Sequence, residues 1–176
     1  FVLGGSNDLH ALKDQLGDFR LVTMGSSFHW MDREATLATL SRMVEPGGGL
    51  VVASAGSLWT NPAPWCLEVK SIVHRWLGQE RRAGSSTYAV PPVRHETLID
   101  RSPFGPCETH VLEYKLLWTI EGIVGYLYST SFCSPFVLGS RRQGFEDDLT
   151  GSLRCMKPDG VFSEDVKLEV LIGFRR

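Results

Sequence analysis

Two apolar runs joined by a helical pattern constrain the fold of this chain more than any other feature. Phe19 to Met24 is nearly continuously apolar, which is typical of a strand covered on both faces in a parallel sheet. From Asp32 the apolar spacing becomes helical, and Leu50 to Ala53 again has the pattern of a buried strand. Glu45-Pro46-Gly47-Gly48 lies between the helical pattern and the second strand, and Pro and Gly favour a tight turn there. The succession predicts one right-handed βαβ crossover and therefore an α/β fold.

The rest of the chain also alternates between helical and strand patterns. At the start, Phe1 to Leu3 predicts the end of a strand, and Ser6 or Asn7 is a candidate cap for a helix that runs to about Leu16. Val166 to Phe174 alternates as a half-exposed final strand would. The other predicted elements are helices over 63–77, 95–100, 120–128 and 145–155, and a strand over 108–117.

Composition excludes several classes of function. A chain of 176 residues with 43% hydrophobic and 22% charged content normally forms one soluble domain. The formal net charge of -2 is too small to gather nucleic acid. The four cysteines lie far apart without a C-x-x-C pair, so the sequence predicts neither a disulfide framework nor a metal site, and favours free thiols. No apolar run is long enough to cross a bilayer. We therefore expect a cytoplasmic protein without nucleic-acid or membrane partners, whose oligomeric state the sequence leaves open.

The beginning of the chain is unusual. Phe1 leads directly into an apolar run, where a complete protein would start with Met and usually a polar segment. This favours an interpretation in which the chain is truncated at its N-terminus.

Three motifs, in order and at natural spacing, carry a resemblance to a known family. They are Val2-Leu3-Gly4-Gly5-Ser6-Asn7-Asp8-Leu9, Leu21-Val22-Thr23-Met24-Gly25-Ser26-Ser27-Phe28-His29-Trp30 and Met43-Val44-Glu45-Pro46-Gly47-Gly48-Gly49-Leu50-Val51-Val52. Together they resemble the second half of the class I, Rossmann-like S-adenosylmethionine-dependent methyltransferases. The small-molecule branch is the most similar, which includes the ubiquinone/menaquinone-biosynthesis and trans-aconitate methyltransferases. The resemblance implies a mostly parallel sheet with an antiparallel C-terminal strand, lacking the first strands of the family.

The resemblance also implies which residues would contact S-adenosylmethionine. The family's acidic adenine-binding position falls on Gly5, which has no side chain, so base recognition would rest on the Ser6 backbone and on Asn7. Backbone groups of Met24 and Gly25, at the end of a parallel strand, would accept hydrogen bonds from the cofactor's amino group. The implied cofactor-binding residues are Gly5, Ser6, Asn7, Met24, Gly25, Ser26 and Trp30.

His29 is the titratable residue within the second motif and the candidate catalytic residue. Its ordinary pKa of about 6.5 suits removal of a proton from a substrate near neutrality. The alternative is an imidazole that orients the loop by a hydrogen bond, because methyl transfer often needs only alignment and desolvation. The sequence leaves both roles open.

The family's glycine-rich cofactor segment is missing from the sequence, which bears directly on activity. Gly47-Gly48-Gly49 cannot replace it, because it follows a helix and precedes a strand. We therefore expect a single partial methyltransferase domain, with residues of about 59–105 as a substrate cap and with weak or absent cofactor binding. The predicted function is methyl transfer to a small-molecule substrate. The alternative is an inactive remnant or a partner-binding domain, and a nicotinamide-dependent oxidoreductase is disfavoured by the final strand.

Overall fold

The structure is a computed structural model that describes residues 2–79, 82–83, 86–87 and 92–176. The described chain packs as two compact units. Unit 1 comprises residues 2–55, 92–113 and 167–176, and unit 2 comprises the remaining described residues. The main sheet has four strands in the order β1-β2-β6-β5: Phe19–Gly25 (β1), Val44–Ala55 (β2), Val161–Phe174 (β6) and Glu108–Thr119 (β5).

Unit 1 holds the predicted crossover. Its helices are Leu9–Leu16 (α1), Arg33–Leu40 (α2) and His95–Asp100 (α4). β1 and β2 pair in parallel, with Val22 opposite Leu50 and Met24 opposite Val52, so the predicted βαβ unit is confirmed. The Asp32 carboxylate accepts a hydrogen bond from the Ala35 amide at 3.1 Å and so caps α2.

The Pro-Gly-Gly segment lies inside β2 rather than before it. Phe19 pairs with Val44 but Leu21 pairs with Gly49, so four residues of β2 are accommodated opposite a single residue of β1. Gly47 has a φ of +76°, which is strained for any residue with a side chain. The predicted turn is therefore an irregularity within the strand, and β2 already begins at Val44, before the Pro-Gly-Gly segment.

The predicted coverage of both faces of β1 is wrong. Met24 is the one buried residue of the strand, and Leu21 is 55% exposed. β1 is an edge strand, so sheet residues flank it on one side among the described residues. Residues 2–5 are irregular where the sequence predicted the end of a strand, and Leu3 is fully exposed.

The final strand is antiparallel, as predicted. β6 pairs with β2, with Leu50 opposite Gly173 and Val52 opposite Leu171. Buried residues of α2, β2, α4 and β6 form the core of unit 1, with Phe28 and Phe104 almost completely enclosed. The mixed sheet with an antiparallel C-terminal strand agrees with the predicted α/β fold class.

Unit 2 is mainly helical. Its helices are Pro64–Leu77 (α3), Ile120–Tyr128 (α5), Pro135–Leu138 (α6) and Arg142–Met156 (α7), and the short strands Arg82–Ala83 (β3) and Ser86–Thr87 (β4) pair with each other. Its core packs α3, α5 and α7 together and includes Trp65, Phe145 and Phe162. The predicted cap, residues 59–105, lies partly outside the described residues and stays a prediction.

Two of the four free cysteines, Cys66 and Cys133, are buried thiols with little nucleophilic character. Burial and the nearby Glu164 carboxylate raise the pKa of Cys66 to about 12, and burial raises the pKa of Cys133 to about 12. A thiol with such a pKa is protonated at neutral pH and does not attack an electrophile. Nucleophilic catalysis by these two side chains is therefore disfavoured.

No helix in the described part of the chain combines the length and the apolar character needed to span a membrane.

Candidate functional site

A cavity of about 270 Å³ in unit 1 collects part of the predicted cofactor site. Gly5, Ser6 and Met24 contribute to its lining. The remaining walls are mainly apolar side chains of α1, β1 and α2, among them Leu9, Leu12, Leu16, Val22 and Leu40. An apolar space of this size suits a flat ring system.

The backbone of Gly5 and Ser6 is held in place by local contacts. The Gly5 amide donates to the Asp8 carboxylate at 2.7 Å, and the Asp8 amide donates to the Gly5 carbonyl at 3.0 Å. A Cβ atom on Gly4 would lie 2.7 Å from Leu12 Cδ1, so the segment packs directly against α1. The sequence around residue 5 therefore positions this wall of the cavity without a ligand.

The end of β1 combines an enclosed side chain with a strained backbone. Met24 is 6% exposed, and Ser26 adopts a left-handed conformation with a φ of +47°. The Ser26 amide donates to the Ala53 carbonyl at 2.9 Å, which joins the ends of β1 and β2. A Cβ atom on Gly25 would meet nothing within 4 Å, so open space adjoins this backbone. Strained, accessible backbone at a strand end is a common feature of binding sites.

The aromatic part of the second motif forms a short 3₁₀ helix over Phe28–Trp30. Phe28 is enclosed in the core, whereas Trp30 is 57% exposed. The His29 and Trp30 ring centroids lie 4.7 Å apart, with the rings tilted by 44°. Of the eight predicted site residues, the cavity lining contains three, and the following five lie outside it: Asn7, Gly25, Ser26, His29 and Trp30.

A second histidine near this motif was missed in the sequence. Arg33 Nη1 donates to the Val93 carbonyl at 2.6 Å and lies 3.1 Å from His95 Nδ1. Because a guanidinium can only donate, Nδ1 must be the unprotonated acceptor, and the His95 proton is therefore on Nε2. The lone pair of His95 is thus already engaged, which makes this imidazole a hydrogen-bond donor rather than a ready base.

Burial lowers the pKa of His95, and the positive charge of Arg33 and the nearby His29 lower it further. The His95 ring also packs on Phe28, with 5.0 Å between centroids. All three causes favour the neutral imidazole. Near neutral pH, the contact with Arg33 is therefore maintained.

His95 is expected to make unit 1 less stable in mild acid. The unfolded residue has an ordinary pKa of about 6.5 and the folded residue a lower one, so the unfolded chain binds the proton first as pH falls. The stability that His95 contributes is complete above about pH 6.5 and is lost progressively as the pH falls from that value to the pKa of the folded residue. His95→Gln keeps an acceptor for Arg33 but does not titrate. In urea titrations at pH 7.5, 6.5 and 5.5, the difference in free energy of unfolding between the wild type and this variant should become smaller as the pH falls. A constant difference would refute the lowered pKa of His95.

Two further residues of this region escaped sequence reasoning. Thr36 is 4% exposed and lines the cavity, although a polar residue within a helical pattern gives no signal of this. Arg33 contacts His95, which is 62 residues away in the chain. The one available signal was the position of His95 at the start of a predicted helix.

Metal chemistry gains no support from the described side chains. Among residues 2–79 and 92–176, no three His, Cys, Asp or Glu side chains are grouped so that they could hold a metal ion.

Comparison with known proteins gave matches among solved structures only. No family model matches the chain, and no curated protein matches it. The chain is similar to a proposed type II methyltransferase from Anaeromyxobacter dehalogenans, with 20% identity and a TM-score of 0.48 over 91% of this chain and 65% of that one. It is also similar to a proposed methyltransferase from Bacillus halodurans, with 13% identity and a TM-score of 0.46 over 99% of this chain and 76% of that one.

A third similar structure has bound ligands. It is phosphoethanolamine N-methyltransferase 2 from Haemonchus contortus, in complex with phosphomonomethylethanolamine and S-adenosylhomocysteine. The identity is 10% and the TM-score 0.39, over 89% of this chain and 33% of that one. The chain spans 65% of the Anaeromyxobacter dehalogenans structure, which is less than two thirds of its length.

Proposed function

We propose that unit 1 binds the adenine end of S-adenosylmethionine and that the chain is part of a methyltransferase acting on a small molecule. The observation that carries this proposal is that Gly5, Ser6 and Met24, which the family resemblance assigns to the cofactor, line the same cavity. These residues come from separate motifs, and the fold brings them together.

The chemistry of the lining suits a purine. Both faces of adenine are apolar and flat, and the walls supply Leu9, Val22 and Met24. The edge of the ring carries hydrogen-bonding nitrogens, which the Ser6 backbone can meet, whereas the Gly5 amide already donates to Asp8. Few charged groups are needed for such a ligand, and none lines the cavity among the described residues.

When bound, S-adenosylmethionine supplies a methyl group on a positively charged sulfur for transfer to a nucleophilic O, N or C atom. Within this chain, Met24 and the walls around it would exclude water from the adenine ring. Gly25 and the left-handed Ser26 would present backbone beside open space, where the amino-acid end of the ligand could approach. His29 would either remove a proton from the substrate that receives the methyl group or orient the loop by a hydrogen bond.

Affinity in this chain is expected to be low. Among the described residues, the cavity lining offers no positive charge to a carboxylate and no acidic side chain to ribose hydroxyls. Binding would therefore rest on the adenine end, and the acceptor-specific residues belong to the proposed cap.

Filling the cavity should abolish this binding. Val22→Trp places a large ring in the cavity from a strand position that tolerates aromatic residues. Leu21→Trp is the matched control, because neighbouring strand residues point to opposite faces and Leu21 is already exposed. Saturation-transfer NMR with S-adenosylhomocysteine should give adenine signals for the wild type and Leu21→Trp, and a signal at least tenfold smaller for Val22→Trp.

Two outcomes would contradict the proposal. Absence of adenine signals in the folded wild type would favour the partner-binding alternative. Equal signals from the wild type and Val22→Trp would show that the nucleoside binds elsewhere.

A further inference from the structure

Unit 2 contains a second cavity, of about 260 Å³, that is separate from the proposed adenine site and walled by aromatic rings. Trp59, Trp76 and Phe132 contribute the rings, while the polar side chains are His74, Gln79 and Arg141. No acidic side chain belongs to the lining within the described chain. The cavity is therefore flat-walled, and Arg141 carries its one permanent charge among the described lining residues.

The aromatic walls are fixed by contacts behind them. The Trp76 indole donates to Asp148 at 2.8 Å, and its ring meets Phe145 edge-on with 6.3 Å between centroids. A Cβ atom on Gly144 would lie 2.8 Å from Trp76 Cη2, so the ring rests directly on the α7 backbone. These contacts hold the Trp76 ring in one orientation before any ligand binds.

The Trp59 ring is also held by aromatic contacts. The Trp59 ring stacks on His74, with 5.9 Å between centroids and 18° between planes. Phe132 packs against Trp59 edge-on at 5.0 Å. An aromatic wall of this kind favours a flat ring over a flexible aliphatic chain, because stacked rings gain directional contacts beyond burial.

The charge at the cavity is positive. Arg141 Nη1 donates to the Trp76 carbonyl at 2.9 Å, which anchors the guanidinium at the cavity. A guanidinium has five N–H donors, so it can donate to a ligand at the same time. The nearby Asp148 carboxylate does not compensate it, because Asp148 is paired with Arg75 at 3.0 Å and also accepts the Trp76 indole. An anchored guanidinium beside a flat apolar wall matches a carboxylate on an aromatic ring.

We propose that this cavity binds a planar aromatic carboxylate, with the ring against Trp59 and Trp76 and the carboxylate on Arg141. The site lies wholly within unit 2 and does not depend on the proposed cofactor site. A bicyclic acid of 13 heavy atoms is a suitable probe, and ligands of that size reach a Kd on the order of 1 mM or tighter.

The test uses 2-naphthoate, its neutral analogue 2-naphthamide and the non-planar cyclohexanecarboxylate, each titrated into the ¹⁵N-labelled chain by NMR. Arg141→Met removes the charge but keeps the aliphatic stem, and Arg142→Met is the matched control because this neighbouring arginine lies over Tyr128, outside the lining. Wild type and Arg142→Met should bind 2-naphthoate equally. Arg141→Met should bind it at least tenfold more weakly, and the wild type should bind the amide and the non-planar acid at least tenfold more weakly.

The indole signals of Trp59 and Trp76 should shift during the titration, while that of Trp118 should not. Lack of naphthoate binding by the wild type, equal binding by Arg141→Met, or shifts confined to other residues would overturn the proposal. The Val22→Trp variant separates the two sites, since it should lose S-adenosylhomocysteine but bind 2-naphthoate as the wild type does.

Discussion

Gly173→Ala is expected to lower the free energy of unfolding by about 3 kcal/mol, at the upper end of the range for overpacked cores. An added Cβ would lie 2.7 Å from the Phe104 carbonyl oxygen, 2.9 Å from Phe104 Cβ and 3.0 Å from Ile99 Cγ2. Phe104 cannot easily retreat, because its carbonyl accepts the Phe174 amide at 3.0 Å. Gly173 itself is fixed opposite Leu50 in the sheet. Urea titration followed by circular dichroism measures the loss, which corresponds to a fall in Tm of roughly 6–12 °C for a chain of this size.

Gly151→Ala is the control for this substitution. Gly151 is exposed within α7, and an added Cβ would meet no atom within 4 Å. Alanine is favoured over glycine inside a helix by roughly 1 kcal/mol, so the control should be neutral or stabilising. A Gly173→Ala variant as stable as the wild type would mean that the segment around Phe104 leaves room for a Cβ atom at position 173.

Glu164→Leu should destabilise unit 2 by about 3 kcal/mol, because it leaves two donors unpaired. Glu164 is 9% exposed, and its two oxygens accept from Asn61 Nδ2 at 3.1 Å and from Trp118 Nε1 at 2.7 Å. Asn61 in turn accepts the Ala63 amide at 2.9 Å, immediately before α3. Loss of the carboxylate therefore affects the start of that helix as well. The free energy of unfolding from urea titration checks the prediction.

Glu164→Gln separates the hydrogen bonds from the shape of the side chain. The amide keeps one carbonyl oxygen as acceptor but places an NH₂ group towards the other donor, so the loss should be about half that of Glu164→Leu. If leucine proves as stable as glutamine or better, the buried apolar contacts of leucine outweigh the two lost hydrogen bonds and the proposed role of Glu164 is wrong.

Periodicity alone predicted much of the architecture. The helical spacing over 63–77 and 120–128 corresponds closely to α3 and α5, and the short helix over His95–Asp100 has the predicted bounds. These elements follow from local alternation between apolar and polar residues, which the sequence displays directly. The crossover from β1 to β2 was predictable for the same reason, since its strands and helix are consecutive.

Site prediction depended on the family resemblance and was less complete. Gly5, Ser6 and Met24 line one cavity, but the roles proposed for them and for His29 stay predictions. His29 attracted attention because it lies within a motif. His95 did not, because its significance comes from the guanidinium of Arg33, far away in the chain.

By itself, the sequence determined where most helices and strands lie and that the fold is α/β, because spacing is a property of neighbouring residues. The tertiary structure alone decided that β1 is an edge strand among the described residues and has one buried residue, because coverage depends on what packs beside it. The same holds for the aromatic cavity of unit 2 and for the pairing of Asn61 with Glu164 across 103 residues. Such contacts form between segments whose local patterns contain no information about each other.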